Sequence, residues 1–197
     1  HNNTVSALMK EIDDITSGNT ASNYDSEIME MEPNQDPDGT LVRRIYDPCT
    51  RYKPFVDISE NDDVLDCVEQ LIGSNLVFNQ SKINMKSSQG GSAVEWHQDM
   101  AYGLLTNRDN LALLLYLDDA DRNNGCLQVI PGQHQIGLLD HSHRGTFQGR
   151  VTEKVETEKA ISIEGEAGTV IFLHCMTPHS SLPNLSSRPR RTLIWGY

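Results

Sequence analysis

His97 and Asp99 are separated by a single residue in V-E-W-H-Q-D-M, Val94 to Met100. Side chains at i and i+2 of an extended strand share a face, so this segment can aim one imidazole and one carboxylate at one point. Those are two of the three groups a facial metal site needs. His179, in T-P-H-S-S-L-P-N near the other end of the chain, is the candidate third. Two histidines and a carboxylate on one side of a metal, with the opposite positions open, form the donor set of a non-haem Fe(II) oxygenase. Three open positions suit a bidentate oxoacid and O2. An oxoacid with a remote carboxylate needs a cation at the far end of its pocket, and arginine offers a planar fork for it. Arg188, Arg190 and Arg191 all follow His179. Strand alternation puts Arg188 and Arg190 on one face and Arg191 on the other. A nearby hydroxyl such as Ser181 can share the carboxylate.

The elements that must position these groups can be read along the chain. Thr4 to Ile15 carries Val5, Leu8, Met9, Ile12 and Ile15 at helical spacing. Residues 17–39 are a polar loop with one strand near Tyr24 to Met31. Leu41 to Tyr46 reads as a strand that ends before Pro54 to Asp57, and Asn61 to Ile72 as a second helix. From Asn75 onward the character changes to short strands between turns: Asn75 to Met85, the H-Q-D segment, Asn110 to Asp118, Cys126 to Ile130, Ala160 to Ile163, Gly168 to His174 and Arg191 to Tyr197. Lys86 to Ser92 is a polar Gly-Ser loop whose lysine reads as exposed, and Ile136 to Lys159 is a polar excursion. Both are expected to face the substrate. Helices followed by a run of short strands, without βαβ alternation or repeats, point to a mainly β fold with flanking helices. A jelly roll of two packed sheets around a small-molecule cavity satisfies that pattern. The whole chain, 1–197, reads as one domain, with an N-terminal helical region over residues 1–73 and a jelly-roll core over residues 74–197.

The chain has 197 residues and a formal net charge of −12, which speaks against binding of nucleic acid or an anionic membrane surface. No apolar run approaches the ~20 residues of a membrane span. No secretory signal pattern is present, so a cytoplasmic protein, monomeric or homodimeric, is expected. Cys49, Cys67, Cys126 and Cys175 show no CxxC spacing and read as free thiols.

Three segments together carry a resemblance: W-H-Q-D at Trp96 to Asp99, G-C-L-Q-V-I-P-G-Q-H at Gly125 to His134, and H-S-S-L-P-N-L-S-S-R-P-R-R at His179 to Arg191. From about Asn75 to Tyr197 the chain resembles the phytanoyl-CoA dioxygenase-like family of Fe(II)/2-oxoglutarate oxygenases, which includes ectoine hydroxylase. The resemblance implies a double-stranded β-helix (cupin-like jelly roll), with His97, Asp99 and His179 as iron ligands. It implies that Arg190 clamps the distal carboxylate of 2-oxoglutarate beside Ser181, and that Gln80 and Asn84 touch the cosubstrate. With Fe(II), 2-oxoglutarate and O2, such an enzyme hydroxylates an unactivated C–H and releases succinate and CO2. Asp99 argues for oxygen chemistry, because related halogenases carry a small residue there. The resemblance also implies that segments at both ends are missing.

Rival readings exist for the other histidines. His134 and His174 are alternative ligands but read as a turn residue and a satisfied, partly buried side chain. His141 and His143 read as a solvated loop. The same triad could serve a cupin-like isomerase or hydrolase with Zn2+ or Mn2+, or the jelly roll could be a ligand-binding module. The first alternative leaves Arg190 and Ser181 unexplained, and the second would be favoured by loss of a triad member, of which none is lost. A small-molecule substrate is expected, and coenzyme A esters are disfavoured by the acidic charge.

Overall fold

The computed structural model describes residues 2–88, 90–103 and 107–197. Gln89, within the Gly-Ser loop, lies outside the described residues. The elements are α1 (Asn2–Thr16), β1 (Met29–Met31), β2 (Val42–Tyr46), α2 (Pro48–Arg51), α3 (Lys53–Ser59), α4 (Asp62–Ile72), β3 (Gln80–Lys86) and β4 (Val94–His97). They continue with β5 (Leu111–Tyr116), β6 (Leu127–Val129), β7 (Ser142–His143), β8 (Thr146–Phe147), β9 (Ile161–Ile163), β10 (Val170–His174), β11 (His179–Ser181) and β12 (Arg190–Gly196).

Two antiparallel sheets oppose each other. The larger runs β1-β2-β3-β12-β5-β10 and the smaller β4-β11-β6-β9, while β7 and β8 form a separate hairpin. One face of the larger sheet, with Ile45, Ile83, Leu113, Leu193 and Trp195, packs on Leu8 and Ile12 of α1, Phe55 of α3 and Val68 of α4. The other face turns Ala112, Leu114, Tyr116 and Leu173 toward Leu127, Val129 and Ile163 of the smaller sheet. Because β5 is covered on both faces, it reads as an unbroken apolar run and not as an alternating one. Two facing antiparallel sheets of this kind make the jelly roll, or double-stranded β-helix.

Several expectations meet their physical limits here. Asn61 caps α4 by accepting from Val64 N at 3.2 Å, which explains where that helix starts. Pro54 does not break the chain but sits in the first turn of α3, where a missing N–H costs nothing. The N-terminal region and the jelly roll are also interleaved, because β1 and β2 extend the larger sheet through the register Arg44 opposite Asn84.

Candidate metal centre

His97 is the last residue of β4, and Asp99 opens the 3-10 turn that follows it. His179 opens β11, which pairs antiparallel with β4 so that His179 lies directly opposite His97. Cross-strand neighbours are close enough for their side chains to touch, and the two imidazole centroids are 4.0 Å apart. Each ring is locked by the backbone two residues before it: His97 Nδ1 bonds Glu95 O at 2.8 Å and His179 Nδ1 bonds Thr177 O at 2.9 Å. Those carbonyls accept, so each Nδ1 carries the hydrogen and each Nε2 keeps its lone pair. The two Nε2 atoms lie 3.7 and 3.8 Å from Asp99 Oδ1. Burial, and then the neighbouring His179 ring, hold the His97 pKa well below its ordinary value, so its imidazole stays in the ligating form. The three donor atoms lie within 4.8 Å of one another. Two neutral nitrogens and one carboxylate, oriented by carbonyls, fit Fe(II) by donor type.

At the other end of the same cavity, Arg190 opens β12 and is only 4 % exposed. Its Nη1 donates to Thr192 Oγ1 at 2.6 Å, while its Nε is buried with no protein partner. An orphaned guanidinium donor in a cavity calls for an acceptor from outside the protein. Ser181 lies two residues beyond His179 on β11, buried and lining the same cavity, which encloses about 120 Å³.

The family pattern for phytanoyl-CoA dioxygenase (PhyH) matches residues 2–192. The chain belongs to that family. Its members are Fe(II)/2-oxoglutarate-dependent oxygenases, and the relatives agree. The chain is 30 % identical over 200 residues to a protein of Stutzerimonas stutzeri named "Probable alpha-ketoglutarate-dependent hypophosphite dioxygenase", covering 98 % of this chain and 70 % of that one. It is 30 % identical over 152 residues to "L-proline trans-4-hydroxylase" of Streptomyces griseoviridis, covering 66 % of this chain and 57 % of the relative. In fold it superposes on EctD from S. alaskensis, solved with 2-oxoglutarate and 5-hydroxyectoine, with a TM-score of 0.80 at 22 % identity over 98 % of this chain and 67 % of that one.

Within this family member the structure gathers His97, Asp99, His179, Ser181, Asn84 and Arg190 around one cavity. Gln80 is a correction. It shares a strand face with Lys82 and Asn84, but it is exposed and lies outside the cavity lining. Four residues of extended strand separate it from Asn84 by about 13 Å, so correct parity did not bring it to the site. The arginine trio divides only in part as alternation requires: Arg191 turns away from Arg190 and forks onto Asp118, with Nε to Oδ2 at 2.9 Å and Nη2 to Oδ1 at 2.6 Å, but Arg188 lies before β12 begins and pairs with Asp121 instead of sharing the cavity face with Arg190.

Two other readings are corrected. Lys86 is not exposed but 4 % accessible, donating to Ser92 O and Leu182 O at 2.6 Å each. Burial, and next the charge of Arg190, lower its pKa to about 7. It ties the loop before β4 to the segment after β11, which needs a long buried donor. His141 is likewise buried: its Nε2 accepts from Gln98 N at 3.0 Å. Only His143 is exposed as expected. His174 Nδ1 accepts from Met176 N at 3.1 Å and the His134 ring lies 5.5 Å from its ring; neither belongs to the His97, Asp99 and His179 donor cluster.

Sequence reasoning missed Gln98, which lies between two ligands with 0 % exposure. Its side chain donates to Met176 O at 2.7 Å and Gly137 O at 3.0 Å and accepts from Leu139 N at 2.8 Å. It pins the H-Q-D turn to the excursion. That excursion also closes over the turn: Tyr102 packs edge-on to His97 and to Phe147, and its hydroxyl donates to Gly149 O at 2.9 Å. A glutamine flanked by two ligands was the available signal. Arg44 and Lys82, also in the cavity lining, were missed as well.

Proposed function

We propose that the protein hydroxylates a compact small molecule, with Fe(II) held by His97, Asp99 and His179 and with 2-oxoglutarate clamped at its distal carboxylate by Arg190. The observation that carries this reading is the cavity with a facial triad at one end and a buried guanidinium, its Nε without a protein partner, at the other. When bound, Fe(II) supplies the positions at which the oxoacid chelates and O2 is activated.

The chain's own residues do the rest. Arg190 orients the cosubstrate by a charge-assisted fork, with Ser181 sharing the same carboxylate. Asn84, whose Oδ1 accepts from Arg44 Nε at 3.1 Å, presents its amide to the cosubstrate from the opposite sheet. Tyr102 and the excursion beneath it shield the reacting centre from water. The relatives' names specify small molecules, hypophosphite and L-proline.

The test is succinate formation by protein purified without oxygen and then given Fe(II), 2-oxoglutarate and O2. Turnover that disappears in His97→Ala and Arg190→Met is expected. Absence of both turnover and iron-dependent 2-oxoglutarate binding in the wild type would sink the reading.

A further inference from the structure

The cavity contains more positive charge than the cosubstrate uses. Three cations line it, Arg44, Lys82 and Arg190, against one carboxylate, Asp99. Fe(II) and 2-oxoglutarate bring two opposite charges each and cancel. Two positive charges therefore remain in excess. One is shared: Arg44 Nη1 lies 3.4 Å from Glu30 Oε2, and Arg44 Nε is engaged with Asn84. Lys82 has no hydrogen-bond or ion-pair partner among the described residues; burial lowers its pKa, and Asp99 is the carboxylate whose charge supports it. Asp99 is a metal donor, so a half-buried lysine at the cavity wall with no other carboxylate to face keeps its charge best when an anionic ligand lies beside it.

The register shows which end of the cavity the spare charge occupies. β12 and β3 run antiparallel with Arg190 opposite Lys86, Thr192 opposite Asn84 and Ile194 opposite Lys82. Lys82 is thus four residues along the sheet from the Arg190 level, about 13 Å. The terminal carbons of 2-oxoglutarate are only about 5 Å apart. In the facing sheet, Ser181 marks the Arg190 end, since Lys86 bonds the carbonyl of the next residue, and His179 lies two residues further toward the metal end. The cosubstrate therefore runs from Arg190 to the metal, and Lys82 lies beyond it. Arg44 is opposite Asn84 and so sits diagonally from Lys82 on the neighbouring strand, close enough for two long side chains to converge.

We propose that Lys82, with Arg44 beside it, binds the oxoanion of a compact anionic substrate at the metal end of the cavity. This rests on the oxygenase reading and names its substrate class. The group recognised is a phosphonate, a phosphinate or a carboxylate on a small carbon frame. The cation pair holds the anionic head while the remainder of the molecule faces the triad.

The test is calorimetry on Fe(II)-loaded protein without oxygen, titrated first with 2-oxoglutarate and then with methylphosphonate, with propionate, or with neutral propionamide. Either or both anions should bind the wild-type complex at least tenfold more tightly than propionamide, and which of the two binds assigns the headgroup. In Lys82→Met the anion should bind about tenfold or more weakly, while 2-oxoglutarate affinity stays within about threefold. Lys82→Arg, which keeps the charge, should retain anion binding within a few-fold. Equal binding of propionamide, no binding of either anion, or an unchanged anion affinity in Lys82→Met would overturn the proposal. A parallel loss of 2-oxoglutarate affinity would also overturn it, by assigning Lys82 to the cosubstrate. Failure of the oxygenase reading is separately visible, because the wild type would then not bind 2-oxoglutarate in the first titration.

Discussion

Replacing Arg190 by methionine should weaken the cosubstrate site while leaving the fold as stable as before or more so. Two opposing quantities follow from its surroundings. Arg190 is 4 % exposed, its Nε has no partner, and burial lowers its pKa from the usual arginine value. Truncating one member of a buried charge pair costs about 2–5 kcal/mol of binding, so 2-oxoglutarate affinity should fall about 30- to 5,000-fold. Without the cosubstrate the same guanidinium is an imperfectly paired buried charge. Substituting an apolar side chain of similar volume for such a group gains about 1–4 kcal/mol. Thr192 Oγ1, at 0 % exposure, loses its donor, a cost of about 1 kcal/mol. The net is about 0–3 kcal/mol of stabilisation, or a Tm unchanged to about 10 °C higher at this chain length. Differential scanning fluorimetry with and without 2-oxoglutarate and Fe(II) reads both effects. 2-Oxoglutarate at about 100 times the wild-type Kd should stabilise the wild type by about 2.7 kcal/mol and the variant by less than about 1 kcal/mol. A variant whose apo Tm drops by more than about 4 °C while its 2-oxoglutarate affinity stays within threefold would refute the clamp assignment and make Arg190 a structural residue.

Three further outcomes are expected. Gln98→Leu keeps every metal donor but removes the side-chain hydrogen bonds that tether the H-Q-D turn to Met176, Gly137 and Leu139, so iron affinity by calorimetry should fall roughly 10- to 100-fold with the fold retained by circular dichroism. Lys86 has its pKa lowered from 10.5 to about 7, so the unfolded chain binds more protons across that window and this group's contribution to stability rises with pH between the two values; in Lys86→Met, denaturant unfolding at pH 7 and pH 9 should lack that rise, and an identical pH dependence in both proteins would contradict the burial. Gly125 has φ +79 and a Cβ placed there would lie 2.3 Å from Leu182 O, the carbonyl that Lys86 holds, so Gly125→Ala should cost at least about 2 kcal/mol in urea unfolding.

The features of the site legible in the sequence were those set by local geometry. One residue between His97 and Asp99 gives a shared face whatever the fold does elsewhere, and alternation separates Arg190 from Arg191 in the same way. Strand parity is local, but position along the barrel is not. Gln80 and Asn84 have the same parity, and only the pairing of β3 with β12 decides that one reaches the cavity and the other ends in solvent. Lys86 and His141 were misread for a related reason. A lysine beside Ser and Gly, or a histidine in a polar stretch, is exposed unless distant carbonyls or amides converge on it. For Lys86 those carbonyls belong to Ser92 and Leu182, and for His141 the amide belongs to Gln98. No short window of sequence contains both sides of such a contact.

The formal charge of −12 made a coenzyme A ester look unfavourable, yet Arg44, Lys82 and Arg190 line the cavity against a single carboxylate. The two facts concern different distances. Surface carboxylates act through water and salt, and beyond about 10 Å their field on a ligand is largely screened. Arg44, Lys82 and Arg190 act inside a pocket of lower dielectric, where each unit charge counts several times more. Net charge therefore bears on nucleic acid and membrane surfaces, which meet the outside of the protein, and says little about a small molecule that leaves solvent. What it does bear on is arrival. An acidic exterior slows the approach of an anion, so a site of this kind should show a substrate association rate that increases with ionic strength even as the bound complex weakens.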